Sequence, residues 1–120
     1  MKYLFIEYPK CSTCQKAKKW LEERQVEFED RHIVENTPTK EELKAWSQRS
    51  QIPLNKFFNT SGLVYKKLNL KEKMVNLTED EKLRLLSGNG MLIKRPLLIS
   101  EKGVLIGFKP ANWEVMIGEE

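Results

Sequence analysis

The sequence predicts a mixed α/β fold, in which a β-α-β segment and a β-β-α segment flank a helical insertion within one domain. Three observations predict it. Residues 2–7 form an apolar, aromatic and β-branched run, and helical spacing takes over from Cys14. Residues 36–90 are polar and helical in pattern, with few strand signals. Strand signals then return as a pair, Leu97-Leu98-Ile99 and Val104-Leu105-Ile106, joined by the turn-like Ser100-Glu101-Lys102-Gly103. A chain of 120 residues supports one core and is too short for two ordinary domains. The insertion over residues 36–90 therefore belongs to a single domain spanning 1–120.

In order along the chain, the first strand ends before Pro9. A short loop, Pro9-Lys10-Cys11-Ser12-Thr13, precedes a helix that Ser12 or Thr13 can cap. Cys14, Ala17 and Leu21 share a helix face, and Trp20 widens it. The helix fades near Gln25. Alternation of apolar and acidic residues over 26–29 marks a second strand, parallel to the first because a helix connects them. Within the insertion, Thr39-Lys40-Glu41-Glu42 and Thr78-Glu79-Asp80-Glu81 are capping-box sequences. The first leads to Leu43 and Trp46, and the second to Leu83 and Leu86 before Gly88 stops the helix. Pro53 opens a short element holding Phe57 and Phe58, and Gly62 marks a turn. Pro110 opens a terminal helix with Trp113, Met116 and Ile117 on its apolar side. Packing is the expected role of Trp20, Trp46 and Trp113, and of Phe57, Phe58 and Tyr65.

Composition bounds the function. Hydrophobic residues make up 40% and charged residues 32%, with a net charge of +4. This excess permits an acidic partner or an anionic ligand, and is too scattered to indicate direct nucleic-acid binding. Unbroken apolar runs reach no more than four or five residues, far short of the ~20 needed to span a membrane. Glu7 and Tyr8 interrupt the N-terminal run, so it lacks the core of an export signal. The expected compartment is the reducing cytoplasm, where a close pair of cysteines is more often reactive than structural.

The chemistry centres on Cys11-Ser12-Thr13-Cys14. A cysteine just ahead of a helix faces unpaired backbone N–H groups and the positive end of the helix dipole, and both favour a thiolate. Thiols at such sites ionise at about 3.5–7.5 instead of about 8.5. Lys10 adds positive charge. Cys11 is the candidate nucleophile, and Cys14, one turn inside the helix, the candidate resolving thiol. Two other readings compete. Half of a zinc site would need two further ligands, and the chain offers no third cysteine and only His32. Inert packing cysteines are the other. His32 itself, just past the second strand, fits a surface or loop position better than a proton shuttle.

Arg95-Pro96 stands immediately before the third strand. Its X-Pro bond is a candidate cis peptide that would expose backbone groups to a ligand, and Arg95 offers a planar anion site. The same pair fits equally a proline that merely starts a strand beside a solvated arginine.

Several segments together carry a family resemblance. They are Tyr8-Pro9-Lys10-Cys11-Ser12-Thr13-Cys14-Gln15-Lys16-Ala17, Phe57-Phe58-Asn59-Thr60-Ser61-Gly62 with Tyr65-Lys66, Ile93-Lys94-Arg95-Pro96-Leu97-Leu98, and Gly107-Phe108-Lys109-Pro110. Nearly end to end, the chain resembles the thioredoxin-like arsenate reductase family, which includes the Spx-type redox regulators. The resemblance implies a thioredoxin-like fold, Cys11 as redox nucleophile, a cis Pro96, and Arg95 near the thiol. The glutaredoxin-coupled reductases of the family place three arginines around an oxyanion. Arg95 matches one. Ser61 and Lys109 stand where the other two would be. Lysine keeps the charge without the fork, and serine keeps neither. Each lost charged hydrogen bond costs roughly 1.5–3 kcal/mol, so oxyanion capture is expected to be weakened. The resemblance implies no metal or organic cofactor, with glutathione, glutaredoxin or thioredoxin as reductant. Expected partners are a small thiol or a protein disulfide, held by Lys10, Ser12, Arg95, Pro96 and Lys109. For a Spx-type regulator the partner would be RNA polymerase, with Cys11 and Cys14 as the switch.

Overall fold

The computed structural model describes residues 2–118, which divide into two compact units, residues 2–32 with 95–118 and residues 33–94.

The first unit is built on a four-stranded sheet. Strand β1 (Tyr3–Glu7) leads through a loop to helix α1 (Ser12–Glu23) and strand β2 (Phe28–His32). Strand β2 begins two residues later than the acidic alternation suggests, because Gln25 takes a left-handed conformation (φ 56°) and the Val26 N–H still bonds the Leu21 carbonyl at 3.1 Å. Parallel pairing of β1 and β2 sets Phe5 opposite Asp30 and Glu7 opposite His32.

Strands β3 (Leu97–Ser100) and β4 (Gly103–Ile106) form the expected hairpin, and β3 lies antiparallel to β1. The strand order is β2-β1-β3-β4. The last helix of the unit is Pro110–Gly118.

Side chains alternate across a strand, so Tyr3, Phe5 and Glu7 share one sheet face. Tyr3 and Phe5 pack there with Leu98, with Ala17 and Leu21 of α1, and with Trp113 and Met116 of the last helix. Trp20, Phe108 and Trp113 add edge-on aromatic contacts, with centroids 5.0–6.2 Å apart. Charge enters this face where Asp30 lies opposite Phe5 and where Glu7 sits buried beside Lys18 of α1.

The second unit is helical. It holds α2 (Lys40–Ser50), the short helices α3 (Leu63–Lys67) and α4 (Leu70–Lys73), α5 (Glu79–Gly88), and three 3₁₀ turns at Leu54–Phe57, Met74–Asn76 and Gly90–Leu92. The terminal helix of the first unit is accordingly α6. Thr39 and Thr78 both close full capping boxes, with Glu42 and Glu81 as reciprocal partners. Lys40 bridges α2 to α5 through Asp80 at 2.7 Å. Leu43, Trp46, Leu54, Phe57, Phe58, Tyr65, Leu83 and Leu86 are buried. Gly90 is required by a close approach: a Cβ there would lie 2.2 Å from the Ile33 carbonyl oxygen.

Candidate functional site

The loop between β1 and α1 places the two thiols. Both are free, Cys14 buried and Cys11 partly exposed. Cys11 itself is the N-cap of α1, in place of the expected Ser12 or Thr13. Its backbone is extended (φ −84°, ψ 121°) and its Sγ accepts the Cys14 N–H at 3.4 Å. Hydroxyls and carboxamides are the preferred capping groups. Here the Cys11 N–H is anchored to the Tyr8 carbonyl at 2.9 Å. The turn from β1 is therefore completed at residue 11, and the helix starts there. Gln15 ties the loop further, donating to the Pro9 carbonyl at 2.8 Å.

The two sulfurs are treated in opposite ways. Burial is the largest single influence and pushes the Cys11 thiol up, while hydrogen bonds from the Cys14 thiol and backbone draw it down. Arg95 adds a hydrogen bond and its charge, and the net result is a pKa below the ordinary 9.0. Cys14 is pushed up to about 12, first by burial and then by the hydrogen bond and charge of Cys11. The Tyr8 backbone N–H and the Arg95 charge oppose that rise only partly. Of the two thiols Cys11 is the more readily ionised and so the better nucleophile, whereas a thiol held near 12 stays protonated.

Arg95 therefore reaches Cys11 across the sheet, and the Arg95–Pro96 peptide is cis. Its Nε and Nη1 are buried without a hydrogen-bond partner. The Pro96 carbonyl accepts the N–H of Gly107 at 2.8 Å. Gly107 has φ 78°, a left-handed conformation that glycine adopts at little cost. Its own carbonyl accepts the indole N–H of Trp113 at 3.0 Å. This fastens the loop carrying Phe108 and Lys109 against the β3 entrance. Lys10, Ser12 and Lys109 are exposed, and the groups that draw the Cys11 thiol down are Cys14 and Arg95. Among the described residues, no group of three or more His, Cys, Asp or Glu side chains could hold a metal.

Sequence reading missed a second cluster. Glu7, Lys18, Asp30 and His32 line a polar pocket of about 410 Å³ with Pro9 and Gln15. Lys18 Nζ lies 2.8 Å from Asp30 and 3.9 Å from Glu7. Burial, followed by the hydrogen bond to Asp30 and its charge, raises the Glu7 carboxyl to about 7. Asp30 is lowered: burial pushes it up, but the Glu7 hydrogen bond and the Lys18 ammonium outweigh this. His32 is the last residue of β2, and its ring meets the Tyr8 ring edge-on at 5.8 Å. Tyr8 also lies under the Arg95 guanidinium, 5.1 Å from Cζ to the ring centroid.

A dithiol at the junction of a strand and a helix, beside a cis proline that enters an antiparallel strand, defines a thioredoxin-like protein. The chain belongs to the ArsC family, whose sequence profile matches residues 6–116. It is 54% identical to YusI of Bacillus subtilis, an uncharacterized protein, over 95% of this chain and 97% of that one. It is 37% identical to the regulatory protein MgsR of the same organism, over 90% of this chain and 84% of the other. The crystal structure of an ArsC family related protein from Bacteroides fragilis matches with a TM-score of 0.91 at 57% identity, covering 97% of this chain and 98% of that one. No helix among the described residues is long and apolar enough to cross a membrane.

Proposed function

We propose that the chain is a thiol-disulfide redox protein in which Cys11 attacks and Cys14 resolves. The observation that carries this reading is the opposite electrostatic treatment of two sulfurs one helical turn apart. The Cys11 thiolate attacks one sulfur of a substrate disulfide, forming a mixed disulfide and releasing the other sulfur as a thiolate. Cys14 then loses its proton to solvent and attacks the Cys11 sulfur, releasing the second substrate thiolate. The substrate gains two electrons, and the Cys11–Cys14 pair becomes a disulfide. An external thiol of the glutathione, glutaredoxin or thioredoxin class restores it by the same exchange.

The timing has a physical basis. Part of what holds Cys14 protonated is Cys11 itself, through its hydrogen bond and its charge. Formation of the mixed disulfide removes both, so Cys14 becomes easier to ionise only when it is needed. Arg95, joined in this reading by Pro96, Lys10, Ser12 and Lys109, favours substrates that carry an anionic group near the reacting sulfur. With Ser61 and Lys109 in place of two arginines, the chain is a poor arsenate reductase.

The test is thiol titration with mass spectrometry of the trapped species. At pH 7 Cys11 is alkylated at least tenfold faster than Cys14. Cys11→Ser abolishes reduction of a model disulfide, and Cys14→Ser accumulates a mixed disulfide on Cys11. A Cys11 that resists alkylation at pH 7 in the folded protein overturns the reading.

The match to the regulatory protein MgsR favours a second reading. The same thiol pair would act as a redox switch in a regulator that docks on RNA polymerase. Co-purification of polymerase subunits that depends on the redox state of Cys11 and Cys14, without disulfide turnover, would support it over the enzyme.

A further inference from the structure

The Arg95 guanidinium helps to draw the Cys11 thiol down, yet its Nε and Nη1 are buried with no hydrogen-bond partner. Among the described residues it makes no ion pair. An arginine side chain is long and rotamer-rich, and its charge helps a thiolate only while the planar fork stays in place. What lies against this fork is the ring of Tyr8, at 5.1 Å, inside the ~6 Å reach of a cation–π contact.

Both the main chain and the ring of Tyr8 are tied in place. The Tyr8 carbonyl accepts the Cys11 N–H at 2.9 Å. The Tyr8 backbone also faces Cys14, whose pKa it draws down. The ring edge abuts His32 at 5.8 Å, nearly perpendicular. A carboxylate partner would also immobilise the guanidinium, but would neutralise it. An aromatic face holds the cation and leaves its charge available to the sulfur.

We propose that Tyr8 is a positioning residue that holds the Arg95 guanidinium against Cys11, and so sets how readily that thiol ionises. The proposal rests on the thiol-redox reading above. The aromatic ring does this work and the phenol hydroxyl does not, so phenylalanine serves and an aliphatic side chain does not.

The test follows the Cys11 pKa in the full reduced chain, by thiolate absorbance and by alkylation rate against pH. Tyr8→Leu is expected to raise the pKa by about 0.5–1 unit and to slow alkylation at pH 7 by about three- to tenfold. Tyr8→Phe stays close to the parent protein. In an Arg95→Gln background, Tyr8→Leu produces no further change, because the ring acts through the guanidinium. Tyr8→Met, unbranched, adaptable and equally without an aromatic face, replaces Tyr8→Leu if that variant does not fold. Independently, the Arg95 Hδ protons show a ring-current shift in the parent and in Tyr8→Phe.

Equal effects of Leu and Phe, an undiminished effect in the Arg95→Gln background, or no ring-current shift would each overturn the proposal. The redox reading fails separately. A parent Cys11 that reacts at pH 7 keeps that reading whatever Tyr8 does, and an inert parent Cys11 sinks both.

Discussion

Glu7 shows how far one buried carboxyl can depart from its neighbours in kind. The residues sharing its sheet face, Tyr3 and Phe5, are packed in the apolar core, while Glu7 sits against Asp30 and Lys18 with only 4% of its surface exposed. Two carboxylates beside a single ammonium are not both comfortably ionised, so the pair holds a proton that neither would keep in solution. Glu7 binds its proton more tightly in the folded chain than in the unfolded one. The folded state is therefore penalised as pH rises from about 4.5 to about 7, and the penalty stays above that range. Glu7→Gln keeps a donor for Asp30 and removes the second negative charge. It is expected to leave stability unchanged near pH 4.5 and to raise it at pH 8 by on the order of 2 kcal/mol. Urea unfolding of both proteins across that window checks this. A difference that does not change with pH would show that the carboxyl ionises normally.

At the scale of the element, the helical unit is decided by local signals. Both capping boxes were legible as Thr-x-x-Glu, since each satisfies helix N–H groups from within four residues. Removing one, as in Thr78→Ala, is expected to cost about 1 kcal/mol. Gly90 is different. A methyl group there would meet the Ile33 carbonyl at 2.2 Å, backbone that cannot rotate away. Gly90→Ala is expected to cost about 1–3 kcal/mol, more than the cap. Chemical denaturation of the two variants side by side gives the order, and equal losses would mean the Gly90–Ile33 approach relaxes freely. Nothing near Gly90 in sequence announces this constraint, because its partner lies 57 residues earlier. The same limit hid the polar pocket. Its members come together only through the β1–β2 register, Phe5 opposite Asp30 and Glu7 opposite His32, which a strand placed two residues too early would have paired differently. Tyr8 over Arg95 was equally hidden, since a cation–π contact leaves no periodic trace. The thiol loop was readable for the opposite reason. Strand, Cys-x-x-Cys and helix are contiguous, and only the identity of the capping residue was missed.

For the molecule as a whole, the ionised Cys11 links stability to redox state. Its folded pKa lies below 9.0, so in the reduced protein the thiolate adds stability that is fully present above the unfolded value and is lost as pH falls through the folded one. A Cys11–Cys14 disulfide has no such ionisation. The stability of the reduced form relative to the oxidised form is therefore expected to rise with pH until the unfolded thiol value of 9.0 is reached, a range in which Cys14, held protonated to about 12, contributes little. Parallel unfolding of the two redox forms measures the difference, and a flat difference would mean that the thiolate is not stabilised by the fold. A stabilised reduced form also makes the disulfide a stronger oxidant.

The sheet is discontinuous in the chain: β1 pairs with β3, and Cys11 meets Arg95, only after the whole helical unit has intervened. On a ribosome adding about 5–20 residues per second, roughly 4–17 s pass between synthesis of the thiol and synthesis of the guanidinium. Through that interval the nascent cysteine has its neighbours in sequence, Cys14 among them, but not the Arg95 cation, so the last part of its activation arrives with the finished domain and not with the codon.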